Sequence, residues 1–400
     1  GWASTAAAHQ ASTAPPAAAV SERQREDIVG LRGKVGLWYR TSPAGGTRAP
    51  GRAPAVPVDA PARDGTIGPM PPPTVWFNKY LGNTWEVLAR LHRERRPDEF
   101  RVLGTHPRPR YPGRHAADEF EVEPDDLPAD EYVAHCLDVA TRHAVTLFFP
   151  GRNVLPVVAA RDRFAALGTS VCAAGDAATI RLINHKAHLA AAVADVAGVR
   201  LPETEVVNDL AGFDAAYDRL RRRHALVCYK PATSVYGIGF HVIDPAFDHP
   251  NALALADARD QLAAKGRFAD LLVMEYLPGP ERSVDGLAER GELVACVVRR
   301  KEHGSQFIEH NPRLEEVARR LAARLGLTGM FNAQFRDRGG EPHLLEINPR
   351  MSGGLPLACR SGLTLPLWAV RLALGTATPA DVPAPRTGFR VPQPVPARST

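Results

Sequence analysis

The segment from Phe331 to Arg350 limits the fold of this chain more than any other part of the sequence. It contains two runs with the alternating apolar and polar side chains of β-strands, Phe331–Phe335 and His343–Asn348, and the turn sequence Asp337–Gly340 lies between them. Glycines in such a turn adopt the backbone angles of a tight connection, so we predict an antiparallel hairpin. Successive strand side chains point to opposite faces, so the polar ones should share a face. This predicted polar face contains Asn332, Gln334, Glu346 and Asn348.

Oxygen atoms dominate this predicted polar face. Mg²⁺ prefers oxygen ligands and often binds the phosphates of a nucleotide at the same time, so Gln334, Glu346 and Asn348 are candidate metal ligands. Pro349 keeps Asn348 extended, and Arg350 then adds a permanent positive charge at the same edge. The alternative interpretation is an amphipathic hairpin whose polar face contacts water.

A lysine at the end of another predicted strand is the second candidate. The run Ala225–Lys230 is typical of a strand, and the glycine-containing loop Pro231–Gly239 follows it. A lysine ammonium and the N–H groups of such a loop can bind phosphate oxygens. The alternative is a glycine turn beside a lysine that faces solvent. The chain lacks the G-x-x-x-x-G-K-[ST] pattern and has no G-x-G-x-x-G after a strand, which argues against a P-loop and a dinucleotide-binding motif.

An apolar strand that turns through proline and glycine is the third candidate. The run Val273–Leu277 leads through Pro278–Pro280 to Glu281. Such a turn can place backbone amides beside a purine and a carboxylate beside the two ribose hydroxyls. This interpretation depends on the order in which the three candidates follow one another along the chain.

The three segments, in this order and with Lys186 upstream, resemble the ATP-grasp superfamily of carboxylate–amine ligases. The resemblance is greatest to the carbamoyl-phosphate-synthetase-like branch and covers about residues 180–370, while 74–178 resemble the preceding pre-ATP-grasp unit. Its most specific part is Gln334 followed by Glu346–Gly354. Two features depart from the family pattern. Many ATP-grasp ligases have an acidic residue where Gln334 stands, and the loop 234–239 is poorer in glycine than most.

The resemblance assigns roles to residues of the three segments. Lys186 and Lys230 would contact the phosphates of ATP, and Ser234, Gly237 and Gly239 would belong to a lid over them. The adenine and ribose contacts would come from Met274, Glu275, Tyr276, Leu277 and Glu281. The metal, Mg²⁺ or Mn²⁺, would be bound by Gln334, Glu346 and Asn348.

The resemblance also implies a reaction. ATP would phosphorylate a substrate carboxylate to an acyl phosphate, and an amine would then attack it, giving an amide, ADP and phosphate. Lys230, Arg350 and one residue of the cluster Arg299–Lys301, taken as Arg300, would stabilise the transferred phosphoryl group. Two alternatives stay open. One is an ATP-binding module that regulates without catalysis, and the other is an ATP-dependent carboxylase or phosphorylating enzyme without an amine acceptor.

Strand-like and helix-like segments alternate between residues 74 and 380, which is typical of α/β proteins. We predict a Rossmann-like pre-ATP-grasp domain with an open parallel sheet over 74–178. A two-subdomain ATP-grasp fold, of the α+β type, should follow over 179–380. Residues 1–73 contain eleven prolines and little apolar sequence, so we expect a disordered arm. The proline-rich residues 381–400 are expected to be a disordered tail.

The formal net charge of +5 belongs to the two ends of the chain. Residues 1–73 contribute +3 and residues 381–400 contribute +2, whereas 74–380 contain 38 basic and 38 acidic residues. A neutral central region argues against a nucleic-acid partner. The resemblance implies small-molecule substrates instead, a carboxylate and an amine. No apolar run reaches the ~18–20 residues of a membrane helix, and no signal-peptide pattern is visible, so we expect a cytoplasmic protein without a membrane partner. The resemblance adds a homodimer as an expectation.

Overall fold

A computed structural model describes residues 71–79, 84–234 and 237–393 of the chain. Its first part is a sheet of five parallel strands, which are β1 (Thr74–Phe77), β2 (Arg101–Thr105), β3 (Glu119–Glu121), β4 (Val145–Phe149) and β5 (Ser170–Val171). Their order across the sheet is β3-β2-β1-β4-β5. The connecting helices are α1 (Thr84–Glu94), α2 (Ala129–Arg142), α3 (Val154–Ala159) and α4 (Arg161–Ala165). The predicted open parallel sheet is confirmed.

Buried aromatic side chains hold the centre of this sheet together. Trp76 of β1 stacks on Phe148 of β4 with ring centroids 3.8 Å apart, and Phe77 stacks on Phe149 at 4.9 Å. All four side chains are almost completely buried. Parallel strands that are covered on both faces need such continuous apolar sequence, which is why β1 and β4 contain few polar residues.

The second sheet also has five strands but is mostly antiparallel. Helices α5 (Ala177–Asn184) and α6 (Lys186–Val193) precede it. Its strands are β6 (Thr204–Val207), β7 (Val227–Pro231), β8 (His241–Ile243), β9 (Ala252–Leu253) and β10 (Leu271–Glu275), in the order β6-β10-β7-β8-β9. Helices α7 (Leu210–Arg221) and α8 (Leu255–Ala263) pack on it through a core that includes Phe213 and Leu262.

The third sheet is the largest, and all its strand pairs are antiparallel. Its strands are β11 (Glu281–Glu289), β12 (Glu292–Glu302), β13 (Ser305–Glu309), β14 (Gly329–Arg338), β15 (Glu341–Asn348) and β16 (Phe389–Pro392). They lie in the order β15-β14-β11-β12-β13-β16. The helices of this part are α9 (Pro312–Leu325), α10 (Leu355–Ala358) and α11 (Leu365–Ala373).

The two faces of the third sheet differ. On one face, α9 packs Leu321 against a core that contains Val284 and Phe331. On the other face, α10 and α11 cover the end of the sheet where Leu287 is buried. Asp285 points to this second face as well, because it lies two residues from Leu287 on β11. The candidate site lies at this polar end of the second face.

The expected disordered tail is wrong for residues 381–393. Strand β16 pairs with β13, and the backbone N–H groups of Gly388 and Gln393 donate to the carbonyls of Ile308 at 2.7 Å and Gly304 at 3.1 Å. Val391 is buried in the core beneath α10 and α11. The predicted arm, apart from Pro71–Pro73, and residues 394–400 lie outside the described residues. In the part of the chain that is described, no helix has the length and apolar character needed to cross a membrane.

Candidate nucleotide site

The predicted polar face of the hairpin is confirmed. Strands β14 and β15 pair with Gln334 opposite Glu346 and Asn332 opposite Asn348, and the turn between them is Gly339–Gly340, both with positive φ. The Asn348 Nδ2 lies 3.3 Å from Glu346 Oε1 and 3.4 Å from Asn332 Oδ1. Because Asn348 uses its amide nitrogen for these partners, its amide oxygen points away from them.

Two lysines from other elements approach this face. Lys186 is the first residue of α6 and is buried, and its Nζ lies 3.4 Å from Glu346 Oε2 and donates to the Ser234 carbonyl at 3.0 Å. Its backbone N–H is bound to the Ala232 carbonyl, which anchors α6 to the loop after β7. The role of Lys186 as a phosphate-binding residue is predicted by the resemblance and not by a local sequence pattern.

Lys230 lies near the end of β7 and interacts electrostatically with both Glu346 and Lys186. Burial lowers the pKa of Lys230 from its ordinary value, the Glu346 carboxylate opposes this change, and the Lys186 ammonium adds to it. A base whose charged form loses hydration gains most from an added anion. The two lysines and Glu346 therefore form one cluster, drawn from α6, β7 and β15, that can bind a polyanion.

The predicted metal ligands have the chemistry of a magnesium site that is shared with a nucleotide. Within the described ranges, no group of three His, Cys, Asp or Glu side chains could hold a metal ion. The predicted set has one carboxylate, Glu346, and the amides of Gln334 and Asn348 beside it. Such a set suits Mg²⁺ when the phosphates of a nucleotide supply the remaining oxygen ligands and negative charge. It does not suit Zn²⁺, which prefers nitrogen and sulfur ligands.

A buried network beside the hairpin was missed by the sequence reasoning. Asp285 of β11 accepts from Arg299 Nε at 2.7 Å, from Ser352 Oγ at 2.6 Å and from Asn332 Nδ2 at 3.0 Å. Arg299 also donates to Gln306 and, at 3.1 Å, to Ser352. Asp285 and Arg299 are almost completely buried. The network joins β11, β12 and β14 to the loop after β15.

The structure does not bring Arg300 to the site. Consecutive strand residues face opposite sides, so Arg299 and Arg300 of β12 point apart. Arg300 packs over the Phe307 ring at 5.2 Å and donates to Glu302 at 3.0 Å, and Glu309 lies 3.8 Å from its Nε. Arg299 and, by the same alternation, Lys301 face the hairpin's polar side, and Arg299 is the buried one of the two.

Gly354 is required by the position of Arg299. A Cβ at residue 354 would lie 2.1 Å from Arg299 Nη1 and 2.5 Å from its Cζ. A side chain at this position would therefore force the guanidinium to shift from its bonds to Asp285 and Gln306.

Several polar groups of the predicted adenine segment are already hydrogen-bonded within the protein. The backbone N–H groups of Glu275 and Tyr276 donate to the carbonyls of Glu203 and Leu226, each at 3.0 Å. The Glu275 carboxylate, which is buried, accepts from Arg338 Nη1 at 2.8 and 2.9 Å. These groups are therefore not free for a nucleotide.

An apolar cluster lies at the same segment. Met274 and Tyr276 pack with Cys228 and Val242, and Leu345 packs against them. Leu345 lies at a register shift between Gln334 and Phe335, so it departs from the alternation that the hairpin sequence predicted. Leu277 is also buried. The segment borders an apolar surface of the kind that covers a purine ring.

The remaining predicted residues occupy the edges of the site. The Glu281 carboxylate lies 3.6 Å from Lys301 Nζ, and Arg350 donates from Nη1 to the Met351 carbonyl at 3.1 Å. In the predicted lid, Gly237 and Gly239 have φ of +68° and +77°, angles that favour glycine. The lid residues Val235 and Tyr236 lie outside the described residues.

A cavity of about 230 Å³ opens on the polar face of the third sheet. It begins at Gln334 of β14 and extends across β11, β12 and β13. The loop Ser352–Gly354 and Gln393, which follows β16, complete its wall. Glu281 and Arg299 line it, whereas Lys186, Lys230 and Glu346 lie at the β15 side of the same sheet face.

Comparisons with known proteins agree on one fold. The family described as ATP-grasp in the biosynthetic pathway with Ter operon matches residues 267–394. The carbamoyl phosphate synthase large chain of Gemmatimonas aurantiaca is 34% identical over 82 residues, which span 20% of this chain and 6% of that protein.

Two solved structures are similar over most of their length. One is the biotin carboxylase domain of the Hydrogenobacter thermophilus 2-oxoglutarate carboxylase, solved as a dimer with MgADP, ADP and bicarbonate; it has a TM-score of 0.59 and 16% identity, covering 79% of this chain and 73% of that one. The other is the L-amino acid ligase of Bacillus licheniformis, with a TM-score of 0.55 and 13% identity over 78% and 77%.

Proposed function

Since this chain is a member of the ATP-grasp superfamily, we propose that it is an ATP-dependent ligase that activates a carboxylate as an acyl phosphate and joins it to an amine. The observation that carries the proposal is the convergence of Lys186, Lys230 and Glu346, with a cavity on the same sheet face. The similar biotin carboxylase domain was solved with MgADP and ADP, which supports ATP and Mg²⁺ as ligands here.

The chain's own side chains would do three things for the nucleotide. Lys186 and Lys230 would bind phosphate oxygens, and the lid containing Ser234, Gly237 and Gly239 would cover them. The apolar surface of Met274 and Tyr276 would hold the purine, with backbone groups of the segment through Leu277 that are not already bonded. Glu281 would bind the ribose. We further propose that residues 74–178 and 179–380 act as the pre-ATP-grasp and ATP-grasp domains.

The difficulty of the reaction is repulsion between two anions. A substrate carboxylate must approach the γ-phosphate, so positive charge has to be held in place beforehand. Mg²⁺, held by Glu346 and the amide oxygens of Gln334 and Asn348, would supply part of that charge. Arg350 and Arg299 would supply more. We assign to Arg299 the role predicted for Arg300, because Arg299 and Lys301 line the cavity and Arg300 does not, and Arg299 is the buried one of the two.

The proposed chemistry balances in two steps. A carboxylate oxygen bonds to the γ-phosphorus and the bond to the β,γ-bridging oxygen breaks, which releases ADP. The amine nitrogen then bonds to the acyl carbon, inorganic phosphate leaves with the carboxylate oxygen, and the amine loses a proton to solvent. Water must be kept away from the acyl phosphate between these steps.

The test uses hydroxylamine as the amine, because it converts acyl phosphates to hydroxamates. Purified protein is supplied with Mg-ATP, single carboxylic acids and hydroxylamine, and both ADP and hydroxamate are measured. We expect Glu346→Gln to reduce both products by about 100-fold or more. The matched control is Glu341→Gln at the exposed start of the same strand, which should leave the rates unchanged.

Each alternative gives a different result. If ADP formation needs bicarbonate and no hydroxamate forms, the protein is a carboxylase and does not form amides. Binding of Mg-ATP without ADP formation would indicate a regulatory module. Wild-type rates in Glu346→Gln would contradict the proposed site.

A further inference from the structure

The cavity of about 230 Å³ lies beside the proposed phosphate cluster on the same sheet face. Gln334 pairs with Glu346 in the hairpin and also lines the cavity. From there the cavity extends away from β15, as far as Gln393 after β16. A γ-phosphate bound by Lys186 and Lys230 beside Glu346 would therefore meet the cavity at its Gln334 end, and a substrate in the cavity would present its reacting group there.

The wall of the cavity is polar. It contains three glutamines and two serines, Gln306, Gln334, Gln393, Ser283 and Ser352. Among the described residues, no aliphatic or aromatic side chain lines it. Ser352 and the amide oxygen of Gln306 are already bonded within the protein. An apolar ligand would leave the amides of Gln334 and Gln393 facing a surface that cannot hydrogen-bond, which is costly where water is displaced. The wall therefore favours a ligand with hydrogen-bonding groups along its length.

The charges of the wall are balanced. Arg299 is paired with Asp285 at 2.7 Å, and Lys301 lies 3.6 Å from Glu281. Every cation of the wall thus has a carboxylate beside it. A ligand with one carboxylate at the Gln334 end meets the proposed metal and lysines there, but a second carboxylate deeper in the cavity would find no unpaired cation.

The volume indicates the size of the group that the cavity can surround. One water molecule occupies about 30 Å³ of liquid, so the cavity of about 230 Å³ holds roughly eight waters or a molecule of similar bulk. Pockets for drug-sized ligands are larger, at roughly 300–1,000 Å³. The cavity is partly open to solvent, and the part that it surrounds matches a molecule the size of a single amino acid.

From these four features we infer that the activated substrate is a small hydrophilic acid with a single carboxylate and with hydroxyl or amide groups on its remaining atoms. It binds with the carboxylate at Gln334 and its polar groups toward Gln306 and Gln393. This inference rests on the proposed function and names its acid substrate class. Gln393 lines the cavity and makes no bond to Arg299, so it can be substituted to test which acids the cavity binds.

The experiment compares acids of equal size in the hydroxamate assay with Mg-ATP. Asparagine is compared with leucine, glycerate with pentanoate, and succinamate with succinate. The first two pairs differ in hydrogen-bonding groups and the third in the second carboxylate. We expect kcat/KM to favour the first member of each pair by about tenfold or more.

A substitution in the wall gives an independent readout. Gln393→Leu should reduce the preference for asparagine over leucine at least about threefold, because the amide partner is replaced by an apolar surface. Arg390→Gln is the control, since Arg390 is exposed on the same strand and donates to Glu302 at 2.7 Å rather than lining the cavity. It should leave the preference unchanged.

The inferred substrate class and the proposed ligase function would be contradicted by different results. Equal or better hydroxamate formation with leucine, pentanoate and succinate overturns the inference while the proposed ligase function stands. An unchanged preference in Gln393→Leu overturns the cavity as the acid site. If the protein binds Mg-ATP but forms neither ADP nor hydroxamate with any acid, the proposed function fails, and the inference fails with it.

Discussion

At the scale of the residue, His106 shows how burial determines a charge state. It follows β2, is 6% exposed and stacks on Tyr111 with ring centroids 3.9 Å apart. Its Nδ1 accepts from the Arg108 backbone N–H at 3.0 Å. Burial, with the nearby charges of Lys79 and Arg108, lowers the pKa of His106 from 6.5 to about 4. The folded protein therefore keeps this ring neutral at pH 5.

This depressed pKa predicts a loss of stability in mild acid. Below pH 6.5 the unfolded chain binds a proton at this residue and the folded chain does not until about pH 4, so stability decreases as the pH falls through that window. Between pH 7 and pH 5 the contribution is about 2 kcal/mol. The His106→Phe variant retains the ring stacking but cannot bind the proton. Between pH 7 and pH 5 its free energy of unfolding, measured with urea, should therefore decrease by about 2 kcal/mol less than that of the wild type. Equal decreases in both proteins would contradict the assignment.

The sequence predicts which face of the sheet a strand residue points to only where the register of the strand is known. Gln334, Glu346 and Asn348 were predicted to share a face because the hairpin is local and its turn determines the register. Arg299 and Arg300 are adjacent, and choosing between them requires the register of β12 on β11, which pairs residues distant from any turn signal and contains a shift at Leu287 and Ala288. Asp285 was missed for a related reason, since one acidic residue in a strand gives no sign that it is buried.

At the scale of the element, the tip of the hairpin holds the segment that follows β10. Gly279 donates its N–H to the Asp337 carbonyl at 3.0 Å, and the Asp337 N–H donates to Pro280 at 3.2 Å. Arg336 packs over the Tyr276 ring at 4.9 Å. Arg338 binds the buried carboxylate of Glu275. The last residues of β14 therefore fix the segment that we propose to hold the purine.

This contact predicts that Arg338 affects nucleotide affinity. Arg338→Gln would leave the Glu275 carboxylate without its arginine, which should cost about 1–3 kcal/mol of stability and raise KM for ATP more than it lowers kcat. Arg313→Gln is the matched control, because Arg313 and Glu341 form an exposed pair that should contribute less than about 1 kcal/mol. The measurements are urea unfolding and initial rates at varied ATP. The same changes in both variants would contradict a specific role for the ion pair between Arg338 and Glu275.

Strand β16 shows the limit of reading elements from the sequence. Its residues lie among six prolines between Pro379 and Pro396, a composition typical of a tail. The strand exists because the free edge of β13 accepts it, and proline is tolerated on an edge strand. No local sequence pattern predicts such a strand, whereas the apolar runs of β1 and β4 do predict those two strands.

At the scale of the whole molecule, the apolar cores do not follow the sheets one by one. One core contains Trp76 and Leu103 of the first sheet together with Val284 and Phe331 of the third. Another combines Phe77 with Ile308 and Val391. The parallel sheet is therefore packed into the same hydrophobic cores as the sheet that holds the candidate site, and both contribute to its position.

The composition of the N-terminal arm predicts that it is dispensable for nucleotide binding, because residues 1–73 contain eleven prolines and little apolar sequence. Among the described residues, the cores extend from Val75 to Val391. We expect a chain that lacks residues 1–70 to bind Mg-ADP with a Kd within about twofold of the full chain, measured by calorimetry. A loss of affinity of tenfold or more would mean that the arm contributes to the site.

The most direct test of the account is a calorimetric comparison of Mg-ADP and adenosine. If Lys230 belongs to a phosphate site, Lys230→Met should weaken Mg-ADP binding by about tenfold or more and leave adenosine, which has no phosphate, unaffected. Lys265→Met, at an exposed lysine after α8, should change neither. Unchanged Mg-ADP affinity in Lys230→Met, or an equal loss for adenosine, would contradict the site on which the proposed function depends.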